Sequence, residues 1–565
     1  MVRKIFSIIE REISGVHNAA YLLGIFALLS QFLALFRDRM LAHNFGAGST
    51  LDIYYSAFRI PDFIFASVAS LVSISVLIPF LARLIEKDQE KNNEETKNFL
   101  NTLFSAYLCL MVAVSAIAFV LLPWLSHFIL PHLADESMRG EFITLSRILL
   151  LQPIALGISN LLGSITQVTR RFFLYALGPL FYNSAIIVGI VFFAPYLGLK
   201  GIVFGVVLGS ILHFGIQIPY IKSLGLIPKF SFGHNFKDLK KVTLLSLPRT
   251  LTLSLNSLEL IFITFYASFM AEGSIAIFNL SLNLQSVPFA IIGVSYSLAA
   301  FPTLSRLFSS GEKDKFFEHV SVAARHIVFW SFPVAALFIV LRAQIVRTIL
   351  GSGNFNWDDT RLTAAALSLF VVSLVGQSLE LLFIRAYYAA GNTKKPLIIN
   401  LISSVLTITL PFVCILLWKN FPVFGYFIEN LFKVSGIPGS IILTLPLGYS
   451  IGTIINMILL WVSFKKDFGP SLNGLFKTLF HSFGVSIIMG FVAYLSLGTL
   501  SHFFNTATVL GIFLQGLIAG LVGIVAGIGL FSILKSPELK EIFEIIPRKI
   551  LKEKNVVLDE VGKIE

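Results

Sequence analysis

The chain has 565 residues, of which 56% are hydrophobic and only 13% charged, and its mean hydropathy is +0.84. Soluble globular chains carry about 45–50% apolar and about 25% charged residues, so water is excluded as the main solvent of this fold and lipid takes its place. The formal net charge of +12 comes from basic residues set between apolar runs, which argues for a membrane surface and against nucleic acid.

Residues 1–17 read as a basic amphipathic segment along the inner membrane face, with Ile5, Phe6, Ile8, Ile9 and Ile13 on a helical period. No small-residue cleavage site follows, as a signal peptide would require. A spanning helix needs about 20 mostly apolar residues. Such runs lie near 18–45, 54–82, 98–129, 140–168, 172–196, 200–221 and 242–270. They continue near 274–305, 319–349, 362–390, 396–418, 440–464, 474–499 and 506–534. The expected fold is therefore an all-α integral membrane protein with about fourteen spans, followed by a cytoplasmic tail over 535–565. Cys109 and Cys414 each sit inside an apolar run and read as small core residues, since a disulfide or zinc framework needs more thiols.

Lysine and arginine alternate in density along the chain. One set of connecting segments holds Arg83, Lys87 and Lys91, then Arg170 and Arg171, then Lys237, Lys240 and Lys241, and later Lys394, Lys395, Lys465 and Lys466. The opposite set is sparse. Cytoplasmic loops carry the basic excess, so both termini are expected in the cytoplasm.

A repeat supports a two-lobed organisation. Ile78-Pro79-Phe80-Leu81-Ala82-Arg83-Leu84 recurs as Phe301-Pro302-Thr303-Leu304-Ser305-Arg306-Leu307, and Pro179-Leu180-Phe181-Tyr182-Asn183 recurs as Pro396-Leu397-Ile398-Ile399-Asn400. The offsets nearly agree, and an even number of spans lies in each copy. This predicts a parallel repeat of two six-helix lobes, over 18–222 and 240–465, around a central cavity. The spans over 474–534 fall outside it.

A charge at a helix centre costs roughly 2.5–3.5 kcal/mol on insertion scales, so intramembrane charges are functional candidates. Arg37, Asp38 and Arg39 close the first run, and Asp52, Arg59 and Asp62 open the second. Two readings stay open: the group lines a wet cavity, where guanidinium grips phosphate bidentately, or it snorkels into headgroups, Arg39 foremost. Arg147, Arg249, Glu259, Glu380 and Arg385 are further candidates. Arg249 and Arg385 sit near expected cytoplasmic ends and suit headgroup anchoring. Glu259 lies deeper and suits either a coupling cation, Na+ or H+, or a helix partner. Trp357-Asp358-Asp359 reads as a solvated helix start.

Several strings resemble the MurJ/MviN lipid II flippases of the multidrug/oligosaccharidyl-lipid/polysaccharide exporter superfamily. They are Leu29-Ser30-Gln31 leading to Phe36-Arg37-Asp38, then Phe45-Gly46-Ala47-Gly48, Asp52 and Ala57-Phe58-Arg59-Ile60-Pro61. Leu247-Pro248-Arg249, Ala267-Ser268-Phe269, Gly273-Ser274 and Arg385-Ala386-Tyr387-Tyr388-Ala389 with Gly391-Asn392-Thr393-Lys394-Lys395-Pro396 extend the likeness over about 18–534. The resemblance implies two lobes around a cavity, a tail-binding groove in the last two helices, and diphosphate binding at Arg37, Asp38 and Asp52. The chain departs from the family at Gln31, Phe65 and Asn283, where basic residues are usual, and at Ala34, where glycine is.

The expected function is a flippase, not an enzyme. It would move a polyprenyl-diphosphate-linked cell-wall precursor, lipid II foremost, across the bacterial cytoplasmic membrane by alternating access. Its substrate site would comprise Arg37, Asp38, Asp52, Arg59, Asn283 and Gln31. The chain is expected to act as a monomer among membrane lipids, with no cofactor, and to meet cell-wall synthesis enzymes. A polysaccharide-unit flippase or multidrug exporter on the same scaffold is the alternative. A membrane glycosyl or phosphoglycosyl transferase is a more distant one, because the histidines show no H-E-x-x-H spacing.

Overall fold

The structure is a computed structural model, and it describes residues 16–69, 94–132, 135–231, 236–469 and 474–541, together with Leu77, Ile78, Leu81, Leu84 and Phe543. The amphipathic segment expected over 1–17 lies almost wholly outside the described residues, as does most of the tail over 535–565 and the first of the repeated strings at 78–84. Among the described residues the chain is helical and contains no strand. This follows from the solvent: hydrocarbon offers no hydrogen bonds, so each segment must satisfy its own backbone.

The helices run in the expected order. The first region holds α1 (Val16–Phe45), α2 (Ser49–Ala57), α3 (Arg59–Ser67), α4 (Glu94–Ile129), α5 (Glu136–Leu149) and α6 (Leu151–Val168). Next come α7 (Phe172–Val188), α8 (Ala194–Leu197), α9 (Leu199–Gly215), α10 (Ile218–Ser223) and α11 (Phe236–Ala267). The middle of the chain forms α12 (Ser274–Phe289), α13 (Ser295–Ser309), α14 (Lys313–Val340), α15 (Arg342–Ile349), α16 (Trp357–Val372) and α17 (Leu374–Ala389). It ends with α18 (Lys394–Asn420), α19 (Pro422–Phe432), α20 (Thr444–Phe468), α21 (Leu475–Leu500) and α22 (Val509–Ile533).

Among the described residues, eleven helices are long and apolar enough to cross a membrane, or twelve if α16 and α17, bent by 42°, form one span. The segments expected at 18–45 and 54–82 are not in that set. The first is the single helix α1. The second is broken at Phe58 into α2 and α3 and then runs into residues outside the described ones. Short π-helical turns at Gly189–Phe193 and Ala290–Val294 interrupt two further spans. The second of these follows Pro288, which lacks the N–H that a regular ladder requires.

Contacts divide the chain into two compact units. One comprises Met1–Val287, Val346–Gly376 and Gly391–Trp461; the other comprises Pro288–Ile345, Gln377–Ala390 and Val462–Glu565. In the first unit α7 packs on α1 and α9, α6 on α9, and α11 on α3 and α18. The α7–α9 crossing is glycine-lined: a Cβ on Gly205 would lie 2.8 Å from the Ala185 carbonyl oxygen and from Gly189 Cα. Small residues let helices approach where lipid tails remove the hydrophobic drive to associate. In the second unit α14 packs on α21, and α21 on α22.

Burial runs opposite to that of a soluble protein. Val120, Trp124 and Phe480 are 70–80% exposed, whereas Asp38, Gln285 and Glu538 are almost fully enclosed. Cys414 is buried as expected, but Cys109 is exposed. Its place in an apolar run indicated hydrophobic surroundings, and on the outer face of α4 those surroundings are lipid rather than protein.

Candidate functional site: a polar seam on the first helices

The charged residues of α1 lie within its last turns and meet polar residues from α7 and α12. The Nε and Nη2 groups of Arg37 donate to Asp38 Oδ1 at 3.0 and 2.8 Å, and its Nη1 donates to Asn183 Oδ1 at 3.1 Å. Asn183 in turn donates to Ser30 Oγ and to the Pro179 carbonyl. The other carboxylate oxygen, Asp38 Oδ2, accepts from Asn283 Nδ2 at 2.9 Å. One turn further along α12, Ser286 Oγ accepts from Gln31 Nε2 at 3.0 Å. Arg37, Asp38, Gln31 and Asn283 thus form one network. An isolated buried carboxylate would be very costly, and here one guanidinium and one amide satisfy it.

Arg59 opens α3 and is 6% exposed. Its Nε donates to Thr264 Oγ1 and its Nη2 to Asn279 Oδ1, both at 2.7 Å. Arg59 forms part of the wall of a cavity of about 320 Å³, with Asp62, Phe65, Ala66, Leu253, Asn256 and Ser257. Phe65, one of the neutral departures, therefore faces the same hollow as the arginine.

Asp52 has a different surrounding. Its Oδ2 accepts from the Gly273 N–H and its Oδ1 from the Ala276 N–H, both at 2.7 Å. The carboxylate sits at the N-terminus of α12, where unsatisfied N–H groups and the helix dipole favour an anion. Gly273 is held at φ +84°, and a Cβ there would fall 1.9 Å from the Ala47 carbonyl oxygen. Only glycine fits this approach.

Arg39 caps a helix end. Its Nη1 donates to the Thr348 and Ile349 carbonyls at 2.5 and 3.1 Å, at the end of α15. The last carbonyls of a helix lack intrahelical donors, and a guanidinium supplies them. Nearby, Asn354 Nδ2 donates to the Asn44 carbonyl, and Asp359 closes a capping box with Asn356 while Oδ2 accepts from the Ala47 N–H. The aspartate pair at Asp358 and Asp359 is thus a helix start, as its sequence suggested.

The remaining candidates lie apart from this seam. Glu259 on α11 is buried and accepts from Ser404 Oγ at 2.5 Å on α18. Arg147 lies over the Phe119 ring at 4.3 Å and donates to the Phe119 carbonyl. Arg385 is partly buried on α17 in the second unit. Arg249 falls on α11, but its side chain lies outside the described residues. Sequence reading missed Thr264, Asn279 and Ser286. Asn183 carried a signal, since it ends a repeated string whose other copy ends at Asn400, itself bonded to Asn456.

A family model described as lipid II flippase MurJ matches residues 41–518. The lipid II flippase MurJ of Burkholderia cenocepacia is 23% identical over 448 residues, which cover 78% of this chain and 82% of that protein. The probable lipid II flippase MurJ of Thermotoga maritima is 27% identical over 464 residues, 80% of this chain and 91% of the relative. A solved structure of lipid II flippase MurJ in an inward closed conformation superposes with a TM-score of 0.71 at 23% identity, covering 91% of this chain and 99% of that one. An inward-facing multidrug resistance MATE transporter follows the same fold with a TM-score of 0.62 at 16% identity, covering 79% of this chain and 96% of that one. With the seam placed on the helices that opened the resemblance, and the model match running across most of the chain, this protein belongs to the MurJ family of lipid II flippases.

Proposed function

We propose that this chain translocates lipid II across the bacterial inner membrane for peptidoglycan biosynthesis, as a multi-pass transporter rather than an enzyme. The family match over residues 41–518 carries this reading. The finer assignment is that both termini face the cytoplasm, supported by the lysine and arginine bias, and that the monomer hands the precursor to cell-wall synthesis enzymes.

Arg59 and Arg37 are the proposed diphosphate ligands, with Asp38, Asn283 and Gln31 holding Arg37 and its network in place. Arg59 already spends two donors on neutral acceptors, Thr264 and Asn279. Phosphate oxygens are charged and accept bidentately, so they compete well for the same guanidinium. With Gln31, Phe65 and Asn283 neutral, the diphosphate charge falls on these two arginines. Asp52 is assigned to the α12 cap rather than to substrate, because both its oxygens are engaged by backbone donors.

Alternating access requires the bonds of Arg39, Asp52 and Arg59, with those of Asn283 to Asp38 and Gln31 to Ser286, to break as a set, since each ties the α1–α3 region to α11, α12 or α15. A ligand shifts such an equilibrium only through unequal binding to the two states. Exchange of Thr264 and Asn279 for phosphate at Arg59 supplies that inequality. Glu259 is the proposed coupling carboxylate, taking a proton or Na+ in place of the Ser404 hydroxyl.

The test is complementation of a cell depleted of its own lipid II flippase, scored by surface exposure of the precursor. The unaltered chain is expected to rescue. Arg59→Ala and Arg37→Ala are expected to lower exposure about tenfold or more at normal membrane abundance, since a hydrogen bond to a charged group contributes about 1.5–3 kcal/mol. Insertion without rescue by the unaltered chain would overturn the reading in favour of polysaccharide-unit or drug export.

A further inference from the structure

The short helix α19 is not used by the transport reading, and its surface is unusual. α18 is 27 residues long and so measures about 40 Å, already enough to cross a hydrocarbon core of about 30 Å. Its outward stripe is apolar, with Ile398, Ile402, Val405, Phe412 and Leu416 exposed. The stripe ends at Trp418 and Lys419, residue types that settle at the membrane–water interface. The chain then breaks at Phe421, whose φ and ψ of −126° and 89° are not helical, and Pro422 starts α19 in the first turn, where its missing N–H is harmless.

α19 should by position lie in or near water, yet its exposed face is apolar. Val423 is 79% exposed, Tyr426 65%, Phe427 61% and Leu431 56%, all within one arc of the helix. Its opposite face is attached to the protein. Ile428 is buried, and a Cβ on Gly425 would meet the Trp418 ring at 3.2 Å. Glu429 Oε1 accepts from Ser440 Oγ at 2.5 Å, and the Lys433 carbonyl accepts from Arg361 Nη2. At 11 residues α19 spans about 16 Å, too short to be another span.

We propose that α19 is an in-plane membrane anchor, its Val423–Tyr426–Phe427–Leu431 face sunk into the headgroup and acyl boundary of the leaflet reached by the Asn420 end of α18. Two observations select lipid as the occupant. The apolar face follows within three residues on a span whose own exposed stripe is apolar, and Lys419 and Lys433 flank it with positive charge that complements anionic headgroups. The anchor is also joined to the start of α16 through Arg361, and the capping box there reaches the α1–α2 turn through Asp359 and Ala47. The leaflet thereby holds a fixed point beside the polar seam.

Spin labels on the full chain in nanodiscs of phosphatidylethanolamine and phosphatidylglycerol test this, in a Cys109→Ser, Cys414→Ser background. Labels at Val423→Cys and Phe427→Cys are compared with Val405→Cys as the lipid reference and Glu312→Cys as the water reference. The proposal expects both α19 labels to collide more with oxygen than with a water-soluble nickel chelate, as at Val405. If either label prefers the nickel chelate, as at Glu312, the anchor is overturned and the face is left for a protein partner.

Discussion

The polar seam of α1–α3 and the glycine face of α22 solve the same problem with opposite chemistry. Both must hold helices together in a solvent where hydrophobic association counts for little. The seam uses directional bonds: Arg37 to Asp38 and Asn183, Asn283 to Asp38, Arg59 to Thr264 and Asn279. The α22 face uses close contact: Gly516 against Gln344, Gly520 against Leu341, Gly523 against Ala493 and Leu337, Gly527 against Met489. Directional bonds can be exchanged for a ligand or for other bonds, whereas a glycine contact has nothing to trade. Under the proposed transport cycle, the seam is the part that can exchange partners and the glycine face the part that stays packed.

The largest expected effect tests the seam where it also depends on close approach. Gly273→Ala places a Cβ against the Ala47 backbone at 1.9 Å and strains a residue at φ +84°. Backbone cannot rotate away as a side chain does, so the expected destabilisation is about 3 kcal/mol or more, with loss of rescue and reduced membrane abundance. Normal abundance and rescue would show that the close approach of Gly273 to Ala47 is not needed to hold the seam. A smaller effect is expected at the glycine face. Gly523→Val meets Ala493 Cβ at 3.1 Å, Leu337 Cδ2 at 3.2 Å and the Met489 carbonyl at 3.3 Å, whereas Gly529 has open space around it. Gly523→Val should cost about 1–3 kcal/mol in a detergent unfolding midpoint and Gly529→Val almost nothing. Equal effects at the two positions would erase the packing half of the contrast.

The smallest effect concerns the segment after α22. Burial raises the Glu538 carboxyl, but hydrogen bonds from Ser536 and Thr478 at 2.7 Å, a backbone N–H and Arg325 outweigh it, and the group is held below the usual glutamate range. A depressed folded value contributes stability above the unfolded value, and that contribution is lost as pH falls through the folded one. Hydrogen exchange at residues 536–541 should therefore accelerate as pH drops below about 4.5, after correction for intrinsic rates. Glu538→Gln should exchange faster at neutral pH and lose that acid response. An acid response that survives in the variant would place its cause elsewhere.

Much of the scaffold was legible before any coordinates. The run at 172–196 became α7, a π turn and α8, and the run at 474–499 became α21, because about 20 apolar residues in lipid have few alternatives to helix. Breaks were less legible. The apolar pattern runs unbroken through Ser373, so hydrophobicity alone carries no sign of the interruption there, whereas Arg59 and Pro61 after Phe58 and Pro153 after Leu150 were local signs of a break that span length alone did not use. In the site, Arg37, Asp38 and Arg59 stood out because charge in an apolar run is expensive. Thr264, Asn279 and Ser286 did not, since small neutral polar residues are cheap in membrane helices and have no spacing of their own. Arg39 stood open between a cavity wall and a snorkelling side chain, and only the end of α15 beside it reveals a helix cap.

Sequence by itself determined the solvent, the helical class and the stretch of chain where charge enters the membrane, since these follow from side-chain transfer energies and local backbone bonding. Tertiary structure alone decided which polar groups meet. Arg59 and Asn279 are 220 positions apart, and Arg39 reaches a carbonyl 309 positions away. Partners so distant are selected by how helices pack, a property of the whole bundle that no local pattern of residues encodes.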